Sequence, residues 1–385
     1  MIKKAERLQS VTEYYFSKKL REVAQLRAEG KSIINMAIGN PDIAPPKEVI
    51  DALTTVMSED GTHQYQSYQG IPELRMAIAE FYKKHYRVEL DPNGEILPLM
   101  GSKEGIMHIS MAYLNKGDGV LIPNPGYPSY ASVANLMEAD IIHYNLDESN
   151  NWQPNYEELE KQNLSHVKIM WLNYPHMPTG TSASKKDLEK AIAFAKKHEL
   201  LIVNDNPYSF ILNDEPQSIL DVDGAEDVAI ELNSLSKTFN MAGWRVGMVV
   251  GESSIIKTIL QVKSNMDSGM FLGIQKGAIA ALQSDDSWFD GLNAIYIKRR
   301  EIVWQIFDLL NCTYKKENGG LFVWAKLPEG QNSKEFINKL LNDKEIFITP
   351  GAIFGSQGEG YIRASLCTSD TLLKEVLKRL STLKN

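Results

Sequence analysis

At 385 residues the chain is more than twice the usual domain length, so one large domain joined to a smaller one is the natural expectation. With 43% hydrophobic and 23% charged residues it reads as an ordinary globular protein with material for a sizeable core. A net charge of −8, with the basic residues dispersed, argues against nucleic acid and anionic membrane surfaces as partners. No apolar run approaches the roughly 18 residues that a membrane span needs. The opening "MIKKAERLQSVTEYY" lacks the apolar stretch of a signal peptide. Cys312 and Cys367 show no CxxC spacing, and the seven histidines form no HxH or HxxxH pair. That disfavours a disulfide framework and a metal site, and it fits a reducing cytoplasm.

In chain order, Val11 to Glu29 reads as a helix, with Ser10 as its N-cap and Gly30 as its stop. From about residue 46, helix and strand patterns alternate. "PELRMAIAEFYKKHY" is helical with Pro72 in the first turn. "EILPLM" is a short strand broken by Pro98, and "SKEGIMHISMAYLN" is a helix capped by Ser102. The runs "GVLIP", "DIIHY", "VKIMWLN", "LLIVND", "VAIELN" and "RVGMVVG" read as strands, with helices such as "SKKDLEKAIAFAKKH" between several of them. This alternation predicts an α/β domain with a mostly parallel sheet, whose ligands sit beyond the carboxyl ends of the strands. After about residue 285 the pattern changes. A long helix "AIYIKRREIVWQIFDLL", a strand "GGLFVWAKL", a helix "SKEFINKLLND", a strand "YIRASL" and a closing helix "SDTLLKEVLKRLSTL" predict a smaller α+β unit. The expected division is an N-terminal arm packed with the small unit (1–45), a large ligand-binding domain (46–284) and the small C-terminal domain (285–385).

The chemistry collects where the large-domain strands end. Asp205 follows an apolar run, and a carboxylate there is costly to bury without a positive partner; Tyr208 comes three residues later. Gly101-Ser102 ends a strand and opens a helix, which presents free N–H groups and a hydroxyl to an anion. Tyr127 stands between prolines in "NPGYPSY", where a rigid turn could hold its ring against a planar ligand. In "SLSKTFNMAGWRVG", Lys237 has small neighbours that leave room for a ligand, and Arg245 nearby would lower the pKa of an approaching amine. Each feature alone also fits a bland role: an N-cap aspartate, a Gly-Ser turn, a packed loop tyrosine, a surface lysine. Together they supply what pyridoxal phosphate needs: a lysine for its aldehyde, a cradle and cation for its phosphate, and a carboxylate to keep its ring nitrogen protonated.

These motifs, in this order and over nearly the whole length, resemble the class I/II aminotransferases, the fold-type-I enzymes that use pyridoxal 5'-phosphate. The resemblance implies a large domain with a mostly parallel seven-stranded sheet between helices, and a small domain built from both termini. It implies that Lys237 carries the coenzyme covalently, that Arg245 holds its phosphate with support from Ser234 and Ser236, and that Asp205 and Tyr208 of "DNPY" meet the ring nitrogen and the 3-oxygen. "GSKEG" resembles the phosphate loop, Gly101, Ser102 and Lys103, and Tyr127 stands where the family stacks an aromatic on the ring. Tyr65 in "YQSYQGIPELR" resembles the tyrosine that reaches the neighbouring subunit's phosphate, which implies a homodimer with shared active sites. Gly39 in "IGNPD" resembles the substrate loop, and Arg363 in "YIRASL" the clamp on the substrate α-carboxylate. The implied activity is transfer of an amino group from an α-amino acid to a 2-oxo acid by a ping-pong route. A carbon–sulfur lyase or a decarboxylase on the same fold is the alternative. One departure stands out. "NYPHMPTG" puts Met177 where the family has an asparagine that donates to the 3-oxygen, and a thioether cannot donate. Tyr208 acting alone, Asn173 or a water are the candidates to fill that place.

Overall fold

The structure, a computed structural model, describes residues 2–11 and 13–381. The first α-helix runs from Tyr15 to Ala28, with Tyr14 as its N-cap. Ser10 is not the cap expected of it. It closes a short 3₁₀ turn, Glu6–Gln9, and its hydroxyl donates to the Arg7 carbonyl. The chain then forms β1 (Ile34–Asn35) and enters the large domain through the helix Lys47–Val56.

Seven strands build the main sheet: β2 (Ile96–Leu99), β3 (Gly119–Asn124), β4 (Asp140–Asn145), β5 (Val167–Leu172), β6 (Leu201–Asp205), β7 (Ala229–Ser234) and β8 (Gly247–Gly251). Their order is β2-β8-β7-β6-β5-β3-β4. Only β8 runs antiparallel to its neighbours, so the sheet is the mostly parallel one expected. Alternate residues serve the two faces. Leu121, Met170, Leu172 and Ile202 join one core, while Val120, Ile169, Trp171, Val203 and Val249 join another with helix residues Ile106 and Ile109. Pro98 does not break β2. It lies opposite Met248 within a continuous strand, and it is tolerated because β2 is an edge strand. The helix Lys185–His198 shows why these segments become helices. Ser184 and Asp187 form a capping box, lysines close the last turn, and Leu188, Ala191, Ile192 and Ala195 make the buried stripe.

The smaller α+β unit begins with a helix from Ser287 to Leu309, seven residues earlier than its apolar pattern suggests. Gly291 is tolerated in its interior, and Trp288 anchors the start by donating to the Thr238 carbonyl. Then come β9 (Thr313–Tyr314), β10 (Phe322–Lys326), the helix Ser333–Lys344, β11 (Ile346–Phe347), β12 (Thr349–Pro350), β13 (Tyr361–Ser365) and the helix Asp370–Ser381. The end of the closing helix expected from the sequence lies outside the described residues. Strands β12, β13, β10 and β9 form an antiparallel sheet in that order, and β1 pairs in parallel with β11. Two further bonds, Met36 N–H to the Phe347 carbonyl and Ser365 N–H to the Met36 carbonyl, lock the arm to the small unit. The arm thereby carries Ile38 and Gly39 to the carboxyl edge of the large sheet.

Candidate active site

A cavity of about 500 Å³ opens at that edge. Asp205 ends β6, Ser234 ends β7, and Gly247 opens the antiparallel β8 opposite Ser234, so three successive strands of the sheet meet the cavity with these ends. Gly247 has to be small. A Cβ there would lie 2.7 Å from the Ser102 amide nitrogen and 2.9 Å from the Asn233 carbonyl. This close approach seats the start of the helix Ser102–Tyr113 against β8. Gly101, with φ +89°, is the cap residue of that helix and no side chain caps it. Ser102 is therefore its first helical residue, not the N-cap expected. A helix start of this kind presents its N–H groups to an anion. A side chain on Gly101 would collide with the Arg245 guanidinium, so the glycine leaves that cation room beside the helix start.

Asp205 forms the floor. Its Oδ2 accepts from Tyr130 Oη at 2.8 Å, and Tyr130 stacks on Trp171 with ring centres 4.8 Å apart. Its Oδ1 is buried and has no partner among the described residues. Burial pushes the carboxyl up to about 7, against the Tyr130 hydrogen bond. Asn173 donates to the Asp205 main-chain carbonyl and accepts from the Met177 N–H at 2.9 Å.

Lys237 is half-buried and donates to the Gly39 carbonyl. Burial lowers its pKa, and the positive charges of Arg363 and Arg245 act in the same direction. Ser236 N–H donates to Ser234 Oγ at 3.1 Å, and Arg245 Nη1 lies 3.5 Å from Ser236 Oγ. Lys103 also faces the cavity with a lowered pKa, from burial first and Arg245 second, and its ammonium stands 4.7 Å from the Tyr14 ring centre. Tyr127 and Tyr208 are half-buried in the wall, and burial raises both phenols.

Across the cavity β13 presents Arg363, which is 4% exposed. Its Nη2 donates to the Ala37 carbonyl at 3.0 Å, and its Nη1 meets Met177 Sδ at 3.1 Å. Its Nε is buried without a partner among the described residues. Burial lowers its pKa to about 10. A buried guanidinium held by one carbonyl and a thioether is well suited to receive an anion.

Of the residues singled out in the sequence, Gly39, Ser102, Lys103, Tyr127, Asp205, Tyr208, Ser234, Ser236, Lys237, Arg245 and Arg363 all line this cavity. Gly101 borders it through Arg245. Tyr65 does not line it and is 90% exposed. Sequence reasoning missed Phe16, Leu20, Phe322 and Phe354 in the lining, and Tyr130 beneath Asp205. Tyr130 had a faint signal, three residues after Tyr127 in the same turn. The histidine spacing also gave no hint that Glu104, His108 and Asp267 come within 4.8 Å of one another; Asp267 is already paired with Lys263 there.

The model of the family "Aminotransferase class I and II" matches residues 31–380. The chain belongs to the class I and II aminotransferases. It is 38% identical to an LL-diaminopimelate aminotransferase of Dehalococcoides mccartyi, with all of both chains covered. It is 40% identical to one of Maridesulfovibrio salexigens over 99% of each. Among solved structures, substrate-bound BacF from Bacillus subtilis superposes with a TM-score of 0.96 at 34% identity, covering 100% of this chain and 98% of that one. The protein is thus an aminotransferase of fold type I that depends on pyridoxal phosphate, and nothing in these likenesses favours the lyase alternative. The cavity fits that coenzyme on its own terms. The unpartnered Oδ1 of Asp205 suits a ring N–H, and the cradle of Gly101, Ser102, Ser236 and Arg245 suits a phosphate.

Proposed function

We propose that this aminotransferase works through Lys237, Asp205 and Tyr208, with Arg363 and Gly39 receiving the substrate. The observation that carries the reading is the meeting, in one cavity, of a lysine with lowered proton affinity and a buried carboxylate with an oxygen to spare. When bound, pyridoxal phosphate supplies an aldehyde for amines and a protonated ring that takes up the electron pair left at the substrate Cα. Lys237 would hold that aldehyde covalently in the absence of substrate. Its amine, when free, would take the substrate's Cα proton and then give a proton to the coenzyme's carbon across the substrate nitrogen, as base and then acid. Asp205 keeps the ring nitrogen protonated, and Tyr208 donates to the 3-oxygen. Gly101, Ser102, Lys103, Ser234, Ser236 and Arg245 hold the phosphate end, and Tyr127 covers the ring face. Arg363 clamps the α-carboxylate, which leaves the amine facing Lys237 beside Gly39.

The reading extends to assembly. A homodimer with shared active sites is supported by Tyr65, whose exposed ring lies outside its own chain's cavity and whose motif resembles one that crosses to a partner. The separate large and small sheets and the β1–β11 pairing support the proposed division into 1–45, 46–284 and 285–385. No helix among the described residues is long and apolar enough to cross a membrane. Two unpaired buried cysteines support a cytoplasmic setting. The clamp admits any α-amino acid, and the relatives' names make LL-diaminopimelate one donor to assay. The test is a half-reaction. A suitable amino acid alone should convert the coenzyme to its pyridoxamine form and release one equivalent of 2-oxo acid. Release of pyruvate and ammonia with the coenzyme unchanged would overturn the reading.

A further inference from the structure

We infer that the cavity selects amino acids with a bulky, neutral, apolar side chain, aromatic ones above all, over donors with a second charged group such as diaminopimelate. The inference rests on Arg363 holding the α-carboxylate. Three phenylalanine rings surround that guanidinium: Phe322, Phe354 and Phe16 have ring centres 3.7, 4.6 and 5.8 Å from its Cζ. A substrate side chain leaves the carbon next to the carboxylate, within reach of these rings, all three of which line the cavity. Leu20 and Ile38 extend the same apolar wall. Met177 adds a thioether beside Arg363, at the position where the family has a polar amide.

The charges in the lining point the same way. They belong to Lys103, Asp205, Lys237, Arg245 and Arg363. Asp205 is the one carboxylate among them, and it lies on the floor, bonded to Tyr130. A distal ammonium would therefore lose its water with no carboxylate from the described residues of its own subunit to meet it. Among its own subunit's described residues, a distal carboxylate would find Lys103 and Arg245, which stand at the phosphate end. A neutral ring loses little by desolvation and gains contact with other rings.

The test uses the purified holoenzyme and one donor at a time: L-phenylalanine, L-leucine, L-alanine, L-glutamate and LL-diaminopimelate. The quantity read is the second-order rate constant for conversion of the coenzyme to its pyridoxamine form. We expect L-phenylalanine to exceed LL-diaminopimelate and L-glutamate by about tenfold or more, the scale on which a pocket discriminates by fit and desolvation. Equal or faster reaction of either charged donor overturns this inference and leaves the aminotransferase reading intact. No conversion by any donor overturns both. Phe16→Ala should lower the ratio of the L-phenylalanine rate to the L-alanine rate by about threefold; an unchanged ratio would assign Phe16 to holding Arg363 and overturn its role as a wall. Leu20→Arg, at a partly exposed rim position, should shift the ratio of rates toward L-glutamate, and an unchanged ratio counts against the wall.

Discussion

Asp205 shows how one buried group ties stability to coenzyme binding. Its carboxyl is pushed up from 3.8 to about 7 by burial. Between about pH 4 and pH 7 the folded coenzyme-free protein keeps a proton that the unfolded chain has lost. Stability contributed by this group therefore falls as pH rises through that window. Coenzyme-free Asp205→Asn should melt at a higher temperature than the coenzyme-free parent at pH 8, with the gap shrinking toward pH 4. A gap independent of pH would show that Asp205 is not held protonated. Lys237→Ala should lose at least about 10²–10⁴-fold in turnover, the usual worth of a positioned general base, while still binding coenzyme through the phosphate cradle. Substantial turnover by the variant would remove Lys237 from the mechanism. Met177 bears on tuning. Asn173 already spends hydrogen bonds on the Asp205 carbonyl and the Met177 N–H, and Met177 itself turns its sulfur to Arg363. Met177→Asn should therefore add a donor for the 3-oxygen. A hydrogen bond to a charged acceptor is worth roughly 1.5–3 kcal/mol, only partly differential between the two protonation states. The midpoint of the coenzyme's visible-absorption titration should fall by about 1 unit, at ~1.36 kcal/mol per unit. An unchanged or raised midpoint would mean that Asn173 or another group already serves.

The helix start at Ser102 works because Gly101 and Gly247 let backbone and guanidinium come together. Gly101→Ala meets both a collision with Arg245 and a strained φ, so coenzyme dissociation should rise by about tenfold, equivalent to ~1.4 kcal/mol. Equilibrium dialysis of coenzyme from parent and variant measures this, and equal affinities would remove the cradle from the account. Elements of this kind differ in how far the sequence reveals them. Strands β3 to β8 were legible because their apolar runs end in residues that make no sense in a core, such as Asp205 and Ser234. The caps were not, since Ser102 carries the right side chain one residue, and Ser10 four residues, away from where the backbone turns into the helix. Pro98 looked like a break because nothing local says that β2 lies at an edge. Phe16, Phe322 and Phe354 escaped notice for a different reason. Phe16 comes with the arm, which β1 ties to β11 across some 300 residues of sequence, and Phe322 comes through the pairing of β10 with β13; no local pattern encodes either contact.

At the scale of the whole molecule, the arm, the large sheet and the small sheet close on one cavity, and Tyr65 is left outside it. Sedimentation should find a homodimer, and Tyr65→Ala should weaken coenzyme binding without loosening the fold. A fully active monomer at dilute concentration would contradict both. Elsewhere the molecule is pinned by a buried arginine. Arg299 holds Asp42 of the arm at 2.6 Å and Asp370 of the last helix at 3.1 Å, and so fixes the arm's entry to the site. The most direct test of the account is to reduce the coenzyme-loaded protein with borohydride, digest it and map the labelled peptide by mass spectrometry. The account predicts the pyridoxyl group on Lys237 alone, and none in protein first converted by a donor amino acid; label on Lys103 or another lysine, or none at all, would contradict it.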